Sequence, residues 1–108
     1  MMPTSLTLDT ARRNDGELML VAAGEIDLSN IDAFVQALTA ASGQAAGGGP
    51  LTVDLSGVEY LDSAAINALF THANHIHLIA HPILMPILTI SGLTELVAVE
   101  PASPAADG

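Results

Sequence analysis

The sequence predicts an α/β domain: a mixed, mostly parallel sheet opened by a β-hairpin, with crossover helices. Three observations carry this. An apolar-alternating segment and an apolar run near the start are separated by only a short polar run. After them, strand-like and helix-like stretches take turns. Half of the 108 residues are apolar, yet the aromatics are only Phe34, Phe70 and Tyr60, so the core is aliphatic, as suits a parallel sheet covered by helices.

Leu6 and Leu8 alternate with Thr7 and Asp9, and a second apolar run, Leu18 to Ala23, follows Arg12-Arg13-Asn14-Asp15-Gly16. A connection this short makes the pair antiparallel, because a parallel crossover needs a dozen residues or more. Gly24-Glu25-Ile26-Asp27-Leu28 ends the second strand. Ser29 and Asp32 have the spacing of a capping box, with Asp in place of Glu or Gln. Ile31, Phe34, Val35 and Leu38 then form the apolar stripe of a helix ending near Ala41 or Ser42. Gly43 to Pro50 reads as a flexible surface loop. It follows a helix, precedes a strand and lacks lysine, so it is no phosphate-binding loop of the P-loop kind.

Leu51, Val53 and Leu55 alternate with Thr52, Asp54 and Ser56 in the central strand, which continues through Leu61. A helix starts at Asp62-Ser63, with Ile66, Leu69 and Phe70 on one face and Asp62 or Ser63 as its N-cap. A hydroxyl is thus set at a strand-to-helix corner where unpaired amides and the helix dipole favour an anion. His75 to Ala80 is a further strand, broken by His81-Pro82. Pro86 moves the start of the next regular helix to about Met85, and Gly92-Leu93 supplies a C-cap with its apolar staple. Leu96, Val97 and Val99 make a last strand. Residues 1–100 are therefore one domain, with 101–108 a disordered tail.

A formal charge of −10, from twelve Asp and Glu against Arg12 and Arg13 with no lysine, excludes a cationic track for nucleic acid or anionic membranes. The absence of cysteine excludes thiol chemistry. No basic leader or bilayer-length apolar run is seen, so a cytoplasmic protein is expected. His75 and His77 share a strand face with His72 nearby. Their spacing has no thiolate or carboxylate partner of a closed zinc signature, so no metal and no cofactor is expected. A hydrolase would need Ser63 paired with a base such as His72. Nine residues along one helix put these about 13 Å apart, so no enzyme activity is expected.

Gly24-Glu25-Ile26-Asp27, Asp54-Leu55-Ser56-Gly57-Val58 leading into Asp62-Ser63, and Ile90-Ser91-Gly92-Leu93 together resemble the STAS domain of bacterial anti-sigma factor antagonists. The resemblance implies a STAS-like fold and a phosphorylation site at Ser63. It further implies an anti-sigma factor partner that is itself a GHKL-type serine kinase, sequestered by the unphosphorylated form and released on phosphorylation. Partner-binding residues carried over are Asp27, Asp62, Ser63, Ala64 and Asn67. The sequence departs from the family in having Ala65 where glycine is usual, a shortened stretch from Asp62 to Gly92 and no visible C-terminal helix. The alternatives are a STAS accessory subunit of an ABC-transporter ATPase that binds without phosphorylation, and a degenerate STAS scaffold. Apart from the resemblance, Ser63 is read as a helix N-cap, a role worth about 1 kcal/mol.

Overall fold

A computed structural model describes residues 5–12, 16–45 and 50–102. Their five-stranded sheet has the order β1-β2-β3-β4-β5, from β1 (Leu6–Arg12), β2 (Leu18–Ile26), β3 (Leu51–Leu61), β4 (Ile76–Ala80) and β5 (Ala98–Pro101). β1 pairs antiparallel with β2, Leu8 opposite Ala22 and Asp9 opposite Val21. All later pairs are parallel. Helices α1 (Ile31–Ala45), α2 (Ser63–Thr71) and α3 (Met85–Ile90) make the crossovers. Because each strand is added in the same direction, crossovers of the usual right hand put all three helices on one face. Burial agrees. Leu18, Leu20 and Ala22 of β2, Leu51, Val53 and Leu55 of β3, and Ile76, Leu78 and Ala80 of β4 are buried on that face. They meet Phe34 and Leu38 of α1, Ile66 and Leu69 of α2, and Leu88 of α3.

The antiparallel hairpin pairing, the central strand and the start of α3 at Met85 lie where the sequence places them, while β1 runs on to Arg12 and β2 stops at Ile26, short of Leu28, and further boundaries differ. α1 runs on to Ala45, through residues expected to be loop, because Ala41 and Ala45 extend the buried row of Phe34 and Leu38 by another turn. Val35 lies outside that row. The expected loop residues 46–49 fall outside the described residues. His75 belongs to a 3₁₀ turn (Ala73–His75), so β4 begins one residue later. β5 starts at Ala98, since Leu96 and Val97 still donate their amides to the Leu93 carbonyl in a turn, at 3.0 Å each. It also takes in Pro101, and the Ala102 amide donates to the Ala80 carbonyl at 2.7 Å, so these two residues of the expected tail are tied to the sheet. The rest of that tail, 103–108, is outside the described residues.

Gly24 and Gly92 are demanded by the backbone. Gly24 has φ +111°, and a side chain there would run into the Ser5 carbonyl, whose oxygen accepts the Glu25 amide at 3.0 Å. Gly92, at φ +86°, is the left-handed residue that ends α3, followed by fully buried Leu93. Among the described residues, no helix is long and apolar enough to cross a membrane.

Candidate functional site

Parallel pairing brings the carboxyl ends of β2, β3 and β4 to one edge, and the first turn of each helix starts there. Asp62, directly after β3, is the organising residue. Its backbone is extended (φ −98°, ψ −176°), and its Oδ1 accepts the Ala65 amide at 3.2 Å, so Asp62 is the N-cap of α2. Its Oδ2 accepts the Leu28 amide at 3.0 Å, across 34 positions of sequence. Its own amide donates to the Ile26 carbonyl at 3.1 Å. One carboxylate therefore caps a helix and holds the β2–α1 turn beside it.

Ser63 is not the N-cap, which corrects the structural role allowed for it from sequence. It is the first residue of α2, it is exposed, and its hydroxyl makes no hydrogen bond to any described residue. The difference is physical. A capping side chain must reach back from an extended residue, and Asp62 has that backbone while Ser63 is already helical. The Ser63 and Ala64 amides open the helix and have no acceptor among the described residues. Asn67, one turn on from Ser63, is exposed on the same side, and Ala64 is half-buried between them. Ala65 is fully buried in the core, so its methyl group adds nothing to the outer surface of this corner.

Asp27 lies in the adjoining turn. Its Oδ1 accepts from the Ser29 amide at 2.9 Å and the Ser29 hydroxyl at 2.6 Å. Asn30 ties the turn down: its Oδ1 accepts the Asp27 amide at 3.0 Å and its Nδ2 donates to the Glu25 carbonyl at 2.9 Å. Asn30 immediately precedes α1, so the helix starts one residue later than the Ser29 spacing suggests. Sequence reasoning missed Asn30 and Leu28. Leu28 is 76% exposed beside the Asp62 clamp. The available signal for Leu28 was an apolar side chain between two polar turn formers. Among the described residues, the edge thus presents the unbonded Ser63 hydroxyl, the amides of Ser63 and Ala64 and the exposed Leu28, while the Asp62 and Asp27 carboxylates are engaged within the corner.

The histidines lie elsewhere. His72 is the C-cap residue of α2, at the opposite end from Ser63. Its Nδ1 lies 3.4 Å from His75 Nε2 and 3.5 Å from Ser42 Oγ. The expected shared face of His75 and His77 is not formed, because His75 sits in the 3₁₀ turn before β4. His81 Nδ1 accepts the Ile83 amide at 3.0 Å. Among the described residues, no group of three or more His, Cys, Asp or Glu is placed to hold a metal.

Burial, and then the charge of His75, hold the His72 imidazole below its ordinary value. Folding therefore favours neutral His72. The resulting stabilisation is complete above the unfolded value of about 6.5 and is lost as pH falls through the lowered folded value. Melting temperatures measured from about pH 7.5 down to about pH 5 are expected to fall more steeply for the wild type than for His72→Gln. Parallel curves would contradict this.

A family model described as "Mlab, STAS domain" matches residues 10–98. No curated protein matches the sequence significantly. Among solved structures, an anti-sigma factor antagonist from Mycobacterium paratuberculosis is similar, with 24% identity, a TM-score of 0.80, and 95% of this chain and 89% of that one covered. SpoIIAA, an anti-sigma factor antagonist in its unphosphorylated form, has 15% identity and a TM-score of 0.66, with 92% of this chain and 89% of that one covered. An uncharacterized protein with a SpoIIAA-like fold from Shewanella loihica PV-4 has 13% identity and a TM-score of 0.59, covering 99% and 93%. The structural likenesses carry the fold, a hairpin-opened sheet with three crossover helices. The family match takes in the end of β1, all of β2, the Asp62–Ser63 corner and the Gly92 turn, and the chain belongs to the STAS domain family.

Proposed function

We propose that this STAS domain is an anti-sigma factor antagonist acting in the cytoplasm. Its partner is an anti-sigma factor of the GHKL-type serine kinase class, and phosphorylation of Ser63 switches it off. One observation supports this above the others: Ser63 is an exposed, unbonded hydroxyl on the first residue of α2, held by an aspartate that has taken over the capping role. A serine engaged as an N-cap would have to give up its bond before reacting; this one has none to give up.

The same geometry suits the product. A phosphoserine brings about −1.5 to −2 charges and three acceptor oxygens, and here they stand beside the unpaired Ser63 and Ala64 amides and the positive end of the helix dipole. The fold then tolerates the modification while the partner surface gains negative charge and hydration. In the unmodified state, Leu28 offers an apolar contact on one side of the hydroxyl and Asn67 a polar one along the helix. No step of this function assigns chemistry to the chain itself: it is the substrate, and the partner supplies the nucleotide.

Mixing the purified chain with candidate anti-sigma factors tests the reading by co-elution in size-exclusion chromatography. A stable complex with the unphosphorylated form is expected. Failure to bind any anti-sigma kinase, together with binding to an ABC-transporter ATPase, would replace this reading with the accessory-subunit alternative.

A further inference from the structure

His72 and His75 frame the 3₁₀ turn Ala73–His75, of which His72 is the N-cap. Side chains three positions apart eclipse one another in such a turn, so the backbone itself brings the two imidazoles together. That backbone is held. The His72 amide donates to the Leu69 carbonyl and the His75 amide to the His72 carbonyl, each at 3.2 Å. The rings meet edge to face, with 87° between their planes, and His72 Nδ1 lies 3.4 Å from His75 Nε2. From α1, Ser42 Oγ lies 3.5 Å from the same Nδ1. Both separations exceed the ~2.7–3.2 Å of an ordinary N–H hydrogen bond. One ring nitrogen, with a single proton or a single lone pair, thus faces two neighbours at once. A serine–histidine relay is ruled out, because it needs the hydroxyl and the orienting group on opposite nitrogens of the base.

We propose that this pair is a zinc-binding site, with His72 Nδ1 and His75 Nε2 as ligands and water in the remaining positions. Distance selects the metal. Two imidazole nitrogens on a tetrahedral zinc, each bonded at about 2.0–2.1 Å, stand about 3.3–3.4 Å apart, which matches the 3.4 Å between these two. Neighbouring nitrogens of a square-planar copper(II) or nickel(II) site stand at right angles, about 2.9 Å apart. Charge favours a cation here, since the chain carries −10 and its only fixed cationic side chains are Arg12 and Arg13. The Ser42 hydroxyl, beside the same Nδ1, is placed to hydrogen-bond a zinc-bound water. Among the described residues, no third His, Cys, Asp or Glu joins the pair. The site is therefore open, and its affinity lies in the micromolar range, below that of closed structural zinc sites. His77, on β4, and His81, whose Nδ1 accepts the Ile83 amide, take no part.

Titration calorimetry of the full chain against zinc chloride at neutral pH, after metal is stripped with a chelator and the chelator dialysed away, tests the proposal. One zinc per chain is expected. Excess zinc should also raise the melting temperature, because the metal binds the pair only where folding has assembled it. His75→Ala, at an exposed position, and His72→Ala should each weaken zinc binding about tenfold or more and remove the thermal shift, with metal-free melts confirming that both proteins fold. His77→Ala should leave binding and shift unchanged. In imidazole nitrogen-15 spectra, zinc should move the His72 Nδ1 and His75 Nε2 resonances. A wild type that takes up no zinc would overturn the proposal, as would binding that survives at full strength in both His72→Ala and His75→Ala.

Discussion

Ser63→Asp is expected to weaken binding to the cognate anti-sigma factor by about tenfold or more, a loss of about 1.4 kcal/mol or greater, without lowering the melting temperature. The two halves of this expectation come from the same position. On the folding side, a carboxylate at the first residue of a helix meets the positive end of the dipole and is neutral to slightly favourable, by about 0.3–1 kcal/mol. Ser63 also gives up no hydrogen bond to any described residue, so nothing internal is lost. On the binding side, a small neutral hydroxyl becomes a hydrated anion at the centre of the proposed contact. Desolvating that anion, and any acidic group opposite it, then opposes complex formation. Ser63→Ala removes only the hydroxyl and should keep most of the affinity. Isothermal titration with all three proteins checks this. Equal affinities for the wild type and Ser63→Asp would remove the electrostatic switch.

Asp62→Ala is expected to destabilise the domain by about 2 kcal/mol, from a lost N-cap and a lost backbone acceptor worth about 1 kcal/mol each. For a domain of this size that lowers the melting temperature by roughly 10 °C. The mutation leaves two amides, those of Ala65 and Leu28, without their partner. It also cuts the link between the β2–α1 turn and the start of α2 that the Leu28 amide makes with Asp62. Asp62→Asn keeps a capping oxygen and should recover more than half of the loss, since asparagine caps about as well as aspartate. Thermal denaturation of the three proteins provides the measurement. A melting temperature unchanged in Asp62→Ala would show that the clamp contributes little to the corner.

The elements legible in the sequence were those whose apolar period is set by a single buried face. Leu51-Val53-Leu55 alternates because only one face of β3 meets helices, and the short connection after β1 left only an antiparallel pairing. Pro86 and Gly92 bracket α3 through backbone rules that hold in any surroundings. What escaped the sequence was decided by tertiary contacts. Ala45 is a weak signal after Gly43-Gln44, yet its burial extends α1. Leu96 and Val97 look like strand but complete a turn whose acceptor is the Leu93 carbonyl. At the corner, Asp62 and Ser63 are both good capping residues, and only the backbone angles separate them. The bond from the Leu28 amide to Asp62 joins segments 34 positions apart, which no local pattern reveals. Exposure of Leu28 and Ile90 was invisible for the same reason, since hydropathy alone assigns such residues to the interior.

The central claim is that Ser63 is the residue modified. Intact-mass analysis of the wild type and Ser63→Ala after incubation with the cognate anti-sigma kinase and ATP, followed by fragmentation to locate the modified residue, addresses it most directly. The account predicts one phosphoryl group on the wild type, at Ser63, and none on Ser63→Ala. Phosphate incorporated into Ser63→Ala at a comparable rate would contradict it.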